Sequence, residues 1–207
     1  MKKGLLTVVS GFSGAGKGTL MKGLLAKYDN YALSVSMTTR APRPGEVDGR
    51  EYFFISREQF EKNIADGKLI EHAQYVGNYY GTPRDYVFEQ LDAGKDVLLE
   101  IEIQGALQIK ERFPDALLLF VTTKDAQTLV TRLKGRGTEE EEVIYKRLKR
   151  AAEESEGIEE YEYLIVNDDL DTCIEDMHDI IQKAKLKASR NKEFIDGIRK
   201  ELKNICN

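Results

Sequence analysis

Residues 5–19 read Leu-Leu-Thr-Val-Val-Ser-Gly-Phe-Ser-Gly-Ala-Gly-Lys-Gly-Thr, a spacing of glycines and lysine that suits the binding of a polyphosphate. Gly11, Gly14 and Gly16 let the backbone turn its N–H groups inward without Cβ clashes, with Phe12, Ser13 and Ala15 between them. Lys17 falls at the start of a helical pattern, where unpaired amides and the helix dipole already favour an anion. From Gly11 to Lys17 the pattern is GxxxxGK, but Gly18 stands where that motif places Ser or Thr, and the hydroxyl arrives one residue later in Thr19. Such a loop suits a metal held mainly by substrate phosphates and water, which Mg²⁺ tolerates.

Further charged residues fall where sites are built. Arg40 and Arg43 lie on a stretch stiffened by Pro42 and Pro44, and arginine suits bidentate phosphate contact. Glu100 and Glu102 interrupt an apolar run, two residues apart, and are expected on one face of a strand or of its C-terminal end, beside the ligand crevice of an α/β sheet. Arg132, Arg136 and Arg147 cluster around Gly135-Arg136-Gly137-Thr138 and a highly charged helical pattern over 139–154, whose Thr138 and Glu141 form a capping-box pair. With few apolar residues, that helix is expected to be a mobile cover outside the core.

Alternating apolar runs and helical patterns must position these groups. The pattern predicts strands over 5–9, 31–37, 52–55, 69–76, 96–103, 116–121 and 163–166, and helices over 19–28, 58–65, 84–91, 106–113 and 125–134, with Asp125 as a cap. Residues 77–81 read as the end of a small mixed or antiparallel unit, and 170–202 as one long helical closure. The fold class is α/β, a parallel sheet flanked by helices with a small insert.

A chain of 207 residues suits one domain able to bury a sizeable core. The net charge of −5 argues against a general nucleic-acid binder, although residues 183–207 are locally basic. No apolar run approaches the roughly 20 residues that cross a bilayer, so the chain reads as cytoplasmic, without a membrane partner. Cys173 and Cys206 do not make a disulfide framework, and two histidines make no metal cluster.

Taken together, Ser-Gly-x-Ser-Gly-Ala-Gly-Lys, Ser-Val-Ser-Met-Thr-Thr-Arg-Ala-Pro-Arg-Pro-Gly-Glu, Gly-Asn-Tyr-Tyr-Gly-Thr, Glu-Ile-x-x-Gln-Gly-Ala, Gly-Arg-Gly-Thr-Glu and Ile-Val-Asn-Asp-Asp resemble the guanylate kinase family over residues 4–182. The resemblance implies a P-loop kinase fold that moves the γ-phosphoryl of ATP to GMP, and to dGMP, with Mg²⁺ accompanying ATP. It implies that Ser36, Glu71 and Glu102 contact guanine, that Arg40, Arg43, Tyr52 and Tyr80 hold the GMP phosphate with Thr82 nearby, and that Gly11 to Thr19 hold the ATP phosphates. Asn167 would lie beside adenine, Arg132, Arg136 and Arg147 would close over the transferring group, and Thr19 and Glu100 would reach Mg²⁺ through water. The family usually has Asp at the position of Glu102. The implied division is a core (1–34, 83–125, 157–207), a GMP-binding part (35–82) and a lid (126–156). Two other readings remain: a same-fold kinase for another phosphorylated acceptor such as AMP or ribose bisphosphate, and an inactive interaction module. Ser36, Glu71 and the Arg40/Arg43 pair oppose the first, and the intact loop opposes the second.

Overall fold

The apolar run before the glycine loop becomes the central strand of a parallel sheet. In the computed structural model, which describes residues 3–75, 77–135 and 141–206, strand β1 (Leu6–Gly11) lies between β7 (Asp96–Glu100) and β8 (Leu117–Thr122). Strand β2 (Tyr31–Leu33) borders β7 and β9 (Tyr163–Val166) borders β8, and every pairing is parallel. Side chains alternate across β1: Val9 enters a cluster with Leu20, Leu24 and Met177, while Val8 enters another with Val97, Ala106 and Ile109. Helices α1 (Lys17–Lys27) and α7 (Leu170–Ala184) cover the first face, and α3 (Arg84–Asp92) and α4 (Ile103–Arg112) the second. Both faces being buried explains why the strands read as unbroken apolar runs.

The insert is a second, mixed sheet ordered β4 (Phe53–Phe54), β3 (Met37–Thr38), β6 (Asn78–Pro83), β5 (Leu69–Tyr75). Its helix α2 (Arg57–Ala65) starts at a capping box, in which Ser56 Oγ accepts the Gln59 N–H and Gln59 Oε1 accepts the Ser56 N–H. Two side chains of α4 tie this sheet to the core: Gln108 donates to the His72 carbonyl and Arg112 to that of Ile70. Helices α5 (Ala126–Lys134) and α6 (Glu141–Ser155) pack on each other, with Asp125 capping α5 as expected.

Three expectations need correction and one gains detail. The strand expected over 31–37 is two strands in different sheets, because alternation persists where the chain passes from one sheet to the next. The strand expected over 96–103 stops at Glu100, and Ile103 opens α4; a short apolar run has no period of its own to separate strand from helix. Residues 78–81, read as the end of the small unit, form most of its strand β6, with Gly81 admitted under Phe60, whose ring a Cβ would approach at 2.9 Å. The helix expected over 170–202 breaks into α7, a 3-10 turn (Ala188–Asn191) and α8 (Lys192–Cys206), where the Asn191 amide donates to the Lys185 and Lys187 carbonyls. In addition α6 is no bare cover, since Ile144 and Ala151 join Leu129 and Leu133 in a small cluster of their own. The expected Thr138 cap and the last residue of the 69–76 strand lie outside the described residues.

Asp96 ties the sheet to the C-terminal helices. Fully buried, it accepts the Leu5 N–H at 2.8 Å, Asn30 Nδ2 at 3.1 Å, Gln182 Nε2 at 3.0 Å and Lys185 Nζ at 3.0 Å. Removing Asp96 leaves the buried Leu5 N–H without its acceptor, while Lys185, 27% exposed, can turn to water, so the cost is that of an unsatisfied buried donor, about 1 to 3 kcal/mol. Asp96→Ala is therefore expected to lower the unfolding free energy by about that amount in urea titration, with an unchanged denaturant slope.

Candidate active site

The glycine loop owes its shape to contacts that leave no room for side chains. Gly14 and Gly16 both have φ 93°, and at Gly16 this left-handed residue caps α1, so the first amides of the helix face the loop. A Cβ on Gly16 would lie 2.4 Å from Asn167 Nδ2, and one on Gly11 2.1 Å from the Val121 carbonyl oxygen. Asn167, buried just after β9, donates from Nδ2 to the Ala15 carbonyl at 2.8 Å, and Arg132 on α5 donates to the same oxygen at 3.2 Å. The other end of that guanidinium donates to the Asn167 carbonyl at 2.8 Å. Sequence reasoning missed this clamp, because the two residues meet the loop only through folding. Lys17 reaches back to the carbonyls of Gly11 at 2.6 Å and Phe12 at 3.3 Å, and Arg147 on α6 lies 3.5 Å from Ser13 Oγ. Phe12 packs edge-on to Phe120, with ring centroids 5.1 Å apart, and anchors the loop to the sheet. Gly18 and Thr19 sit in the first turn of α1, and a Cβ on Gly18 would meet nothing within 4 Å. Arg136 lies outside the described residues.

Across the carboxyl ends of β2 and β7 is a cavity of about 60 Å³ lined by Ser34, Ser36, Tyr52 and Glu100 among others. Ser34 Oγ is buried there without a hydrogen-bond partner, a second hydroxyl that sequence reasoning passed over. A larger groove of about 490 Å³ between α5 and α6 holds none of the expected site residues.

The insert sheet supplies the other wall. Arg40 pairs with Glu46 at 3.0 Å and lies over the Tyr52 ring at 5.4 Å, while Glu46 also accepts the Arg43 N–H at 2.7 Å. Glu46, missed in the sequence, thus aligns both arginine positions, and its bond to Arg40 holds its own carboxyl below the usual range. Tyr80 meets Tyr52 edge-on at 5.9 Å, and burial, aided by Glu100, pushes the Tyr52 phenol up to about 12.

Beneath them Glu71, 3% exposed, accepts a 2.6 Å bond from Thr82 Oγ1. Its second oxygen faces Gly105 on α4, where a Cβ would come within 2.7 Å. Burial pushes Glu71 up to about 7, with Thr82 and Arg112 pulling the other way. Glu100 ends β7 with its carboxyl reaching solvent at the crevice floor; the surrounding walls still strip enough water to raise its pKa, against the pull of Lys17. Glu102 is not on that strand. It is the N-cap residue of α4, in extended conformation, and its side chain makes no capping bond.

A phosphate loop on the central parallel strand, facing an acid-lined crevice beyond the same end of the sheet, defines a P-loop nucleotide kinase. The guanylate kinase family profile matches residues 3–184. A guanylate kinase of Streptococcus thermophilus (strain CNRZ 1066) is 53% identical over 190 residues, covering 91% of each chain, and one of Caldanaerobacter subterraneus is 47% identical over 200 residues, 97% of each. A crystal structure of guanylate kinase from Anaplasma phagocytophilum aligns with TM-score 0.75 at 32% identity, over 92% of this chain and 90% of that one. The chain belongs to the guanylate kinase family.

The Glu71 environment is directly measurable. Carbon-13 NMR of glutamate-labelled protein is expected to show two carboxyls titrating near pH 7, those of Glu154 and Glu71, the latter identified by its absence from Glu71→Gln. Thr82→Val removes a bond to the ionised form and should move that midpoint upward; a midpoint left in the ordinary carboxylate range would contradict the account.

Proposed function

We propose that this chain transfers the γ-phosphoryl group of ATP to GMP, and to dGMP, giving ADP and the guanosine diphosphate. Glu71 carries the reading: a buried acid with one hydroxyl donor, its second oxygen facing Gly105 on α4. Guanine offers adjacent N1–H and N2–H₂ donors to such an acceptor, and its O6 takes a hydroxyl donor such as Ser36. Adenine lacks that paired edge and would leave a buried acid unmatched, a penalty large enough to decide selectivity. Glu102 serves as the further acid at the base.

Arg40, Arg43, Tyr52 and Tyr80 bind the GMP phosphate, with Thr82 beside them. The loop from Gly11 to Thr19 binds the ATP phosphates through its amides and Lys17, and Asn167 lies toward the adenine side while holding the loop. Arg132, Arg136 and Arg147 close over the transferring group. Phosphoryl transfer needs in-line positioning and charge neutralisation more than a general base, so these cations suffice. The division into core (1–34, 83–125, 157–207), GMP-binding part (35–82) and lid (126–156) follows from this assignment, and closure of the lid keeps water from the γ-phosphoryl.

Among the described residues no group of three or more His, Cys, Asp or Glu side chains is placed to cage a metal, while Glu100 near Lys17 and the Thr19 hydroxyl at the loop fit an ion carried in by phosphates. Thr19 and Glu100 would hold Mg²⁺ through waters, and the ion would supply charge neutralisation at the phosphates. No helix among the described residues is long and apolar enough to cross a membrane, which accords with work in the cytoplasm.

Coupled ADP release with ATP, Mg²⁺ and separately GMP, dGMP, AMP, CMP or UMP tests the reading. Turnover is expected with the guanine nucleotides alone. Folded protein that binds GMP without turnover would instead support the interaction module. Because an added side chain at Gly18 meets open space, Gly18→Ser is expected to fold normally and to lower the half-saturating Mg²⁺ concentration several-fold.

A further inference from the structure

The insert sheet carries Glu71 on its outermost strand. Strand β5 pairs with β6 alone, and α4 lies along the edge that this leaves open. The pairing slips between Leu69 and Glu71, and the residue left over is Ile70, next to the acid. A bulge of this kind leaves backbone groups without ladder partners and re-aims the side chains beside it. Here α4 supplies the missing partners on both sides of Glu71. Arg112 donates to the Ile70 carbonyl at 2.9 Å, and Gln108 Nε2 donates to the His72 carbonyl at 3.0 Å. The Ile70 side chain, 2% exposed, is sunk among Ala106 and Ile109 of the same helix.

Gly105, Gln108 and Arg112 are spaced three and four residues apart and share one face of α4. That face meets the acid itself at Gly105, where a Cβ would lie 2.7 Å from Glu71 Oε2 and 3.3 Å from its Cδ. The other carboxylate oxygen takes the Thr82 hydroxyl at 2.6 Å across the strand pair.

We propose that this stripe of α4 determines acceptor specificity: Gln108 and Arg112 are positioning residues that fix the backbone on either side of Glu71, and Gly105 leaves the room in which its carboxylate is aimed at guanine. The proposal rests on the reading of Glu71 as the guanine contact. An acceptor that is turned away from the base loses the donors of guanine, while the contacts to the nucleotide phosphate are kept. Besides holding the Ile70 carbonyl, Arg112 pulls Glu71 toward its ionised, accepting form. Gln108 carries no charge, so its removal tests aim alone.

Calorimetric Kd values for GMP and AMP, with the KM for ATP from initial rates, test this in Gln108→Ala, Arg112→Ala, their double variant, Arg112→Lys and Gly105→Ala. Gln108→Ala and Arg112→Ala should each weaken GMP binding several-fold, the range of one hydrogen bond, and together about tenfold or more. The AMP affinity and the KM for ATP should stay level, since neither depends on Glu71. Arg112→Lys, whose ammonium still donates to the Ile70 carbonyl, should bind GMP as wild type does. At Gly105 an added methyl meets the far end of a flexible side chain, so Gly105→Ala should fold normally and still weaken GMP binding. In a Glu71→Ala background, with no carboxylate left to aim, the same substitutions should leave the GMP Kd within about twofold. A double variant with wild-type GMP affinity, a loss equal for GMP and AMP, or a loss undiminished without Glu71 overturns the proposal while the enzyme reading stands. Wild type that binds GMP without phosphorylating it overturns the enzyme reading, and the Kd values still decide the role of α4. Wild type that does not bind GMP overturns both.

Discussion

The phosphate loop depends on one oxygen. The Ala15 carbonyl points away from the anion side of the loop and accepts both the Asn167 amide and the Arg132 guanidinium. With that carbonyl satisfied from behind, the amides that follow it are free to face a phosphate. The clamp draws on three parts of the chain: the loop after β1, the residue that follows β9 and the last turn of α5. Correct seating of the loop therefore requires both the outer strand β9 and helix α5 to be in place. It also places an arginine expected over the transferring group within reach of the donor loop.

The acceptor side works under the opposite constraint. Glu71 and Glu154 are buried acids on different elements, each raised to about 7 chiefly by desolvation. Burial of such groups lowers stability, and groups perturbed in this way cluster at functional sites. The surface arginines contribute differently. Arg40 is held by Glu46, Ala41 and two aromatic rings, so its guanidinium is oriented before any ligand arrives, which reduces the ordering lost on binding.

Much of this was legible in local pattern. Strand, loop and helix around Gly11 to Lys17 could be read because left-handed glycines, an apolar run and a change of period coincide within a few residues. The Asp125 cap and the alternation of strands with helices were legible for the same reason. Less legible were the ends of elements. Ala-Leu-Ser-Val-Ser-Met keeps strand alternation while the chain changes sheets, and Glu-Ile-Glu-Ile looks like strand while Glu102 is already turning into a helix. In each case the break is made by partners elsewhere, such as the Leu98 carbonyl that takes the Ser34 N–H and the Ile101 carbonyl that takes Ser10 Oγ.

The sequence by itself determined the glycine loop, the α/β class and the family, because each of these rests on residue types at short, fixed spacing. Only the tertiary structure decided what those residues touch. Asn167 meets Ala15 across 152 positions, Arg132 meets it across 117, and Lys185 meets Asp96 across 89. Local pattern carries backbone preference and burial, whereas a buried acid with a hydroxyl partner or a carbonyl clamped from behind arises only when packing removes water and brings distant groups within hydrogen-bond reach.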